Sequence, residues 1–240
     1  MNNNATLEKM SMMKLQGMKQ AFELSMATSQ SGKLTADELI ALLVEAEYND
    51  RQNRKLQRLL KAAKFRYKAT IEELNISHKR NLDKNEILRL ATCDFMSKRE
   101  SIIITGPTGV GKSYLASALG HQACINGYKV MYFNLQKLFT RLKMLKADAS
   151  DIREKSRIEK HDLLILDDFG LQVLDVENRL SLLEIIEDRH GKKSTIITSQ
   201  LPTSKWHEAI GEETIADAIL DRIVHTAHRI ELKGGSLRKK

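Results

Sequence analysis

The segment that most constrains the fold of this chain is the eight-residue run Gly106–Ser113, which reads GPTGVGKS. It fits the pattern G-x-x-x-x-G-K-(S/T) at every position, with the apolar run Ile102–Ile104 directly before it and the helix-forming run Tyr114–Ala123 directly after it. Glycines let such a loop turn tightly and point backbone N–H groups at phosphate oxygens, and the following helix adds the positive end of its dipole. The run therefore predicts a strand–loop–helix unit that binds the phosphates of a nucleotide.

Two side chains of this loop have specific predicted roles. Lys112 is expected to place its charge beside the β- and γ-phosphates, and the Ser113 hydroxyl can ligate Mg²⁺. The predicted nucleotide contacts are Gly106, Pro107, Thr108, Gly109, Val110, Gly111, Lys112, Ser113 and Tyr114.

A pair of acids forms the second part of the predicted site. Asp167 and Asp168 directly follow the apolar run Leu163–Leu166. In open α/β sheets, ligands bind at the carboxyl ends of the strands, which is where this pair would lie. Asp167 is therefore expected to hold the Mg²⁺ shell, and Asp168 to orient or deprotonate the water that attacks the nucleotide.

From residue 100 onward, short β-rich runs alternate with helical patterns, which indicates a parallel sheet covered by helices on both faces. The predicted strands are Ser101–Thr105, Lys129–Phe133, Leu163–Asp167, Ser194–Thr198 and Arg229–Leu232. A complete strand separates the loop from the acidic pair in sequence, which favours ATPases with an added catalytic carboxylate over simple kinases and GTPases. The hydroxyls of Thr198 and Ser199 end a later strand and could sense the γ-phosphate or position water.

The first 70 residues have a helical pattern throughout, with a break at 30–32. A second helix is predicted to begin at Thr35, because Glu38 three residues later completes a capping box. Only two prolines occur in 240 residues, and neither glycine nor proline occurs between 33 and 105. Long uninterrupted helices are therefore expected, and a proline-rich linker is excluded.

Basic residues are concentrated in this helical part. The chain has 39 Lys+Arg against 31 Asp+Glu, a net charge of +8, and the run from Arg51 to Lys68 contains eight basic residues and no acidic one. Five of them are spaced along one side of a helix: Arg51, Arg54, Lys55, Arg58 and Lys61. Like charges this close repel one another unless an anion neutralises them, so a contact with a phosphate backbone is predicted. A solvated helix face is the alternative.

Several classes of protein are excluded. The apolar runs are too short to span a bilayer, and the first residues lack the apolar centre of a signal peptide. The two cysteines, Cys93 and Cys124, form no CxxC pair, which argues against a disulfide framework and a cysteine zinc site. A cytoplasmic protein is expected.

With these residues assembled, the sequence resembles the AAA+ ATPases and, among them, the IstB-like helper ATPases of insertion-sequence transposition, which are related to the DnaC-type helicase loaders. The resemblance covers most of the chain. It is carried by Arg89–Thr92, Gly106–Ala116, Asp162–Gly170, Thr198–Pro202, Leu220–Ile223 and Gly235–Arg238.

The resemblance implies an α/β P-loop NTPase (AAA+) fold, with a parallel sheet flanked by helices, little or no C-terminal lid, and an N-terminal all-helical domain. Residues 1–75 would form the helical domain that binds DNA or a partner, and residues 76–240 the ATPase domain. Ser199, or Thr198 beside it, matches the sensor-I position, although the usual asparagine is absent. Arg222 matches the arginine finger that a neighbouring subunit supplies, and Arg238 a second nucleotide-contacting arginine.

The function that the resemblance implies is ATP hydrolysis with Mg²⁺ by a homo-oligomer on duplex DNA, which delivers target DNA to a cognate transposase and stimulates it. Three alternatives stay open. A DnaC-like loader would act on a replicative helicase ring and prefer single-stranded DNA. A monomeric P-loop kinase would need a lid and an acceptor pocket, and a non-catalytic adaptor would not need the hydrolytic residues.

Overall fold

The computed structural model describes residues 3–28, 34–77, 80–147 and 150–237. Five strands of the described residues form one sheet in which every neighbouring pair is parallel. They are β1 (Ser101–Thr105), β2 (Val130–Asn134), β3 (Leu163–Phe169), β4 (Ser194–Ser199) and β5 (Ala227–Glu231). The predicted parallel sheet is confirmed, and each strand lies within two residues of its predicted position.

The order of the strands across the sheet is β2-β3-β4-β1-β5. β4 therefore lies between β1, which leads into the phosphate loop, and β3, which carries the two acids. The three central strands are almost wholly buried, as expected for a parallel sheet covered on both faces. This order brings the polar end of β4 between the loop and the acidic pair.

The sequence pattern predicts helices between the strands, and the structure has them there: α6 (Lys112–Ile125), α7 (Leu135–Lys146), α8 (Asp151–Glu159), α9 (Val176–Arg189), α10 (Trp206–Ile210) and α11 (Glu213–Val224). Two short helices, α4 (Lys84–Ala91) and α5 (Asp94–Lys98), precede β1. A buried cluster that includes Phe139, Phe169 and Trp206 packs helices against the sheet. In the described part of the chain, residues 232–237 follow β5 without a further helix.

Three helices precede them: α1 (Asn3–Met12), α2 (Gln16–Ala27) and α3 (Ala36–Ala63). The predicted capping box at the start of α3 is confirmed, because the Thr35 backbone N–H donates to Glu38 Oε2 at 2.8 Å and the Glu38 N–H donates to Thr35 Oγ1 at 3.3 Å. The predicted break at 30–32 lies outside the described residues.

The prediction of helix throughout residues 1–70 is wrong beyond Ala63. Lys64 adopts a left-handed φ of 56°, which ends α3 although neither glycine nor proline is present. Tertiary packing explains the end of the helix, because Phe65 lies edge-on to the Tyr132 ring of β2 at 6.5 Å between ring centroids. The sequence around residue 64 contains no signal for this contact.

The chain divides into two compact units, Met1–Arg58 and Leu59–Lys240. The division falls earlier than the boundary predicted after residue 75, since residues such as Phe65, Ala69 and Ile71 pack within the second unit. In the first unit, Gly17 of α2 lies against the backbone of Ala46 in α3, where an added Cβ would be 2.4 Å from the carbonyl oxygen. Among the helices of the described residues, none is long and apolar enough to cross a membrane.

Candidate nucleotide-binding site

The phosphate loop connects β1 to α6, as predicted. Its glycines at 106, 109 and 111 all have positive φ. At Gly106 a side chain is excluded, because a Cβ would lie 2.2 Å from the carbonyl oxygen of Leu232, the residue after β5. Lys112 is buried at the first position of α6, and its Nζ donates to the carbonyls of Gly106 (2.8 Å) and Pro107 (2.9 Å). The ammonium group is therefore held over the loop whose N–H groups are suited to bind phosphate.

Asp167 is fully buried at the carboxyl end of β3 and lies at the centre of a hydrogen-bond network. Its Oδ1 accepts from Ser113 Oγ at 2.7 Å and from the Thr198 hydroxyl. Its Oδ2 accepts from the Tyr132 hydroxyl and from Arg66 Nη1, the latter at 3.1 Å. The structure thus brings Ser113 and Asp167 together as predicted, and it adds three partners that the sequence did not indicate.

An irregularity in β3 sets the direction of Asp168. The β3–β4 register shifts between Leu166 and Phe169, and Asp168 adopts a left-handed φ of 64°. In a regular strand, consecutive side chains point to opposite faces, but here Arg66 Nη1 reaches Oδ2 of Asp167 at 3.1 Å and Oδ2 of Asp168 at 3.0 Å. The bulge therefore turns both carboxylates toward the same place, which the sequence pattern does not predict.

Asn134, at the end of β2, is a second partner of Asp168. Its Nδ2 donates to Asp168 Oδ2 at 3.0 Å, while its Oδ1 accepts from the Lys137 N–H at the start of α7. Asn134 was not predicted, although its position at the end of the strand before the acidic strand is a signal that could have identified it. Asn134 can therefore orient the second carboxylate without carrying charge itself.

The electrostatics of this network keep its donors protonated. Burial and the neighbouring Asp167 carboxylate raise the pKa of Tyr132 well above its ordinary value, so its hydroxyl remains a donor at any physiological pH. Burial lowers the pKa of Arg66, but the hydrogen bonds to Asp167 and Asp168 together with the charges of Asp167 and Tyr67 outweigh it, so the pKa is raised. Both groups therefore keep donating to Asp167.

At the end of β4, the two predicted hydroxyl residues make different contacts. Ser199 is fully buried, its hydroxyl donates to the Phe169 carbonyl at 2.8 Å, and it accepts from the Leu201 N–H. Thr198 instead contacts Asp167, and Gln200 accepts a 2.6 Å hydrogen bond from the Thr108 hydroxyl of the phosphate loop. Of the two hydroxyl residues predicted for the sensor-I position, Thr198 is the one that contacts Asp167, and the role itself stays a prediction. Gln200 was missed although it directly follows the two hydroxyl residues.

A cavity of about 430 Å³ adjoins the loop. It is lined by loop residues, by Arg66, Asp168 and Gln200, and by two flanking segments that include Leu74, Arg80, Leu82, Leu232 and Leu237. Tyr114, predicted to contact nucleotide, lines it too, and its hydroxyl donates to Glu73 at 3.0 Å. Arg238 lies outside the described residues, whereas the preceding Leu237 donates its N–H to the Gly109 carbonyl at 2.9 Å.

Arg222 lies on α11, away from this cavity. Its Nη2 pairs with Glu187 of α9 at 2.9 Å, and its Nη1 donates to the Ala218 carbonyl at 2.7 Å. Arg222 therefore does not line the cavity beside the phosphate loop of its own chain, and its contact with a neighbouring subunit stays a prediction.

The positive charge along the basic side of α3 is partly neutralised by acidic residues of the same helix. Arg51 pairs with Glu47 at 2.7 Å and Arg54 with Asp50 at 2.6 Å, both one helical turn upstream. Lys55, Arg58 and Lys61 are exposed. The acidic residues just before the run therefore neutralise its first two members and leave the later ones as the stronger candidates for an anionic contact.

The residues present fit a nucleotide with Mg²⁺. The loop offers backbone N–H groups and a buried ammonium, and the Ser113 hydroxyl and the Asp167 carboxylate, 2.7 Å apart, are oxygen donors of the kind that Mg²⁺ prefers. The cavity beside them lies within the range of small-ligand sites. Together these features indicate a site for a nucleoside triphosphate.

Comparisons with known proteins agree with this geometry. The family model described as IstB-like ATP binding protein matches residues 8–240. The insertion sequence ATP-binding protein y4pL of Sinorhizobium fredii is 45% identical over 98% of this chain and 96% of its own length. The ATP-binding protein of insertion sequence IS1162 from Pseudomonas fluorescens is 42% identical over 83% of this chain and 87% of its own.

A crystal structure of the DnaC helicase loader superimposes with a TM-score of 0.57 at 22% identity, covering 70% of this chain and 98% of that one. The likeness to the DnaC structure shows the fold alone.

Proposed function

Because the chain belongs to the IstB-like ATP-binding protein family, we propose that it hydrolyses ATP as a homo-oligomer on duplex DNA and delivers target DNA to the transposase of an insertion sequence, which it stimulates. The observation that carries the hydrolytic part is the convergence of Lys112, Asp167 and Asp168 at one edge of the sheet. Relatives named for insertion sequences, such as y4pL, support the transposition part.

The residues of the site divide the work of hydrolysis. The loop N–H groups and Lys112 bind the phosphates and stabilise the charge that spreads over them in the transition state. Asp168, oriented by Asn134, positions the attacking water or accepts its proton. Mg²⁺, when bound at Ser113 and Asp167, neutralises phosphate charge. Tyr132 and Thr198 fix the Asp167 carboxylate so that it needs little reorganisation.

Arg222 completes the proposed site from a neighbouring subunit. Replacing Arg222 by alanine should lower hydrolysis by about 10³-fold or more, the usual contribution of such an arginine, and leave ATP binding intact. Mixing this variant with Lys112→Ala should restore activity, since about one quarter of the interfaces in a random equimolar mixture join an intact loop to an intact arginine. The measurement is steady-state phosphate release at a fixed total protein concentration.

A matched control separates this role from a structural one. Glu187→Ala breaks the same ion pair but keeps the arginine, so it should retain hydrolysis. If Glu187→Ala and Arg222→Ala lose equal activity, or if the mixture stays inactive, Arg222 serves only the packing of α11 on α9 and does not act between subunits.

Contact between α3 and the DNA backbone is testable by salt titration. Replacing Lys55 and Arg58 together by alanine should make the slope of log affinity for duplex DNA against log salt shallower by about 1.8, because each phosphate contact contributes about 0.9. Fluorescence anisotropy of a labelled duplex, at several salt concentrations and with ATP present, measures this slope.

The double variant Lys9→Ala, Lys84→Ala removes the same charge from exposed positions elsewhere and should leave the slope unchanged. A single-stranded oligonucleotide of the same sequence is titrated in parallel. An equal slope change in both double variants would contradict a specific contact at α3, and tighter binding to the single strand would contradict the duplex as the substrate.

A further inference from the structure

Arg66 is the one residue of the described network that brings a positive charge to both acids. Its Nη1 lies 3.1 Å from Asp167 Oδ2 and 3.0 Å from Asp168 Oδ2. Its side chain is 39% exposed, whereas that of Asp167 is fully buried. Arg66 therefore reaches in from the surface to carboxylates that the sheet holds in place.

Packing on both sides of Arg66 fixes the segment that carries it. Phe65 fits against Gly120 of α6, where an added Cβ would lie 2.5 Å from the Phe65 ring, and it meets Tyr132 edge-on. Tyr67 packs on Tyr114 of α6 with ring centroids 6.0 Å apart, and the Arg66 guanidinium lies 5.6 Å from the Tyr67 ring centroid. Because Phe65 and Tyr67 are packed on both sides of it, the backbone at Arg66 is held in place next to the acids. The contact therefore differs from an ion pair between two flexible surface side chains.

The buried acid has little remaining capacity to accept a further positive group. Each oxygen of Asp167 already accepts two hydrogen bonds, from Ser113 and Thr198 at Oδ1 and from Tyr132 and Arg66 at Oδ2. A divalent cation at Ser113 and Asp167 would lie close to the guanidinium, and the like charges would repel each other in surroundings that screen them poorly. A guanidinium does not deprotonate in proteins, so loss of a proton cannot relieve this repulsion, whereas movement of Arg66 away from the acids does.

We propose that Arg66 is a cationic gate on Asp167 and Asp168, which Mg²⁺ must displace when it binds with ATP, so that Arg66 sets the Mg²⁺ concentration at which the site fills. The proposal rests on the proposed ATPase function and deepens it. It also gives Arg66 a second effect, since its withdrawal removes one of the two donors to Asp168 Oδ2, leaves Asn134 as the other, and makes room on that oxygen for the attacking water. Arg66 acts through the two acids and is a positioning residue.

The test uses the full chain and AMP-PNP, a slowly hydrolysed ATP analogue. Its affinity is measured by isothermal titration calorimetry at a series of free Mg²⁺ concentrations and in EDTA. In Arg66→Ala, the Mg²⁺ concentration that gives half of the gain in affinity should fall about tenfold, within the range of ordinary coupling free energies. Lys68→Ala removes an equal charge from an exposed position on the same segment and should match the wild type.

An unchanged or higher Mg²⁺ midpoint in Arg66→Ala overturns the gate, as does a loss of affinity that is the same at every Mg²⁺ concentration, which would make Arg66 a phosphate ligand. Arg66→Gln removes the charge but keeps a polar side chain and more of its aliphatic part than alanine does. If the alanine variant fails to fold, the Mg²⁺ midpoint of Arg66→Gln is the deciding measurement. Wild-type protein that binds no AMP-PNP at any Mg²⁺ concentration would instead refute the proposed function, and the gate with it.

Discussion

Replacing Lys112 by alanine is expected to lower the affinity for ATP about 100-fold, because charge-assisted hydrogen bonds from an ammonium contribute about 1.5–3 kcal/mol each and every 1.4 kcal/mol is a tenfold change. The structure strengthens the expectation, since Lys112 is buried and its Nζ is already held over the loop by the carbonyls of Gly106 and Pro107. Alanine also leaves these two carbonyls without their donor. Isothermal titration calorimetry with ATP and Mg²⁺ measures the loss.

Lys129→Ala is the matched control for this variant. Lys129 is an exposed lysine just before β2, at the opposite end of the strand from the site. The Lys129→Ala variant should bind ATP as the wild type does. Circular dichroism melts of both variants show whether the fold is retained, and a folded Lys112→Ala protein with wild-type affinity would contradict the assignment of the loop as the phosphate site.

Replacing Asp168 by asparagine should abolish most hydrolysis while ATP still binds. Loss of a general base or water-positioning carboxylate typically costs about 10²–10⁴-fold in rate, and no predicted phosphate contact is removed. The backbone favours this variant over alanine, because Asp168 has a left-handed φ of 64° and asparagine, like aspartate, adopts that conformation readily. An amide oxygen can still accept from Arg66 and Asn134. Oligomers on DNA should therefore accumulate in the ATP-bound state, as gel filtration with duplex and ATP would show.

Asp94→Asn, at an exposed acid of α5, is the control and should hydrolyse ATP at the wild-type rate. Asp168→Ala should bind ATP too, but with a further stability cost of about 1–2 kcal/mol from the left-handed backbone, which chemical denaturation measures. Unimpaired hydrolysis in Asp168→Asn would remove Asp168 from the reaction and leave the water without an assigned acceptor.

The two halves of the site differ in how far the sequence predicted them. The phosphate loop is local, because its glycines, Lys112 and Ser113 are consecutive and flanked by an apolar strand and a helix. The acidic pair was predicted almost as well, since an apolar strand that ends in acids indicates which end of the sheet they occupy. For the sensor-I position the resemblance offered Ser199 or Thr198, and the sequence left this open, because the contacts of Thr198, Ser199 and Gln200 depend on which side chains the neighbouring strands leave room for.

The helical region shows the same division. The start of α3 followed from Thr35 and Glu38, which lie three residues apart and interact directly. The end of α3 did not follow from the sequence. Phe65 and Tyr67, which come after the helix, make ring contacts with Tyr132 and Tyr114, and these partners are far away in the chain. The charge pattern of α3 was visible, whereas the pairing of Arg51 and Arg54 with upstream acids needed the side-chain geometry.

Local patterns in the chain predict a parallel α/β ATP-binding fold with its phosphate loop, its acidic pair and a basic helical region. These features depend on residues that are close together in the chain and on the spacing of apolar residues in strands and helices. The turn of both acids toward one arginine depends instead on long-range contacts. That outcome requires the bulge in β3, the position of β4 between the loop and the acids, and a segment a hundred residues upstream packed against α6. Such contacts join residues that no local pattern relates.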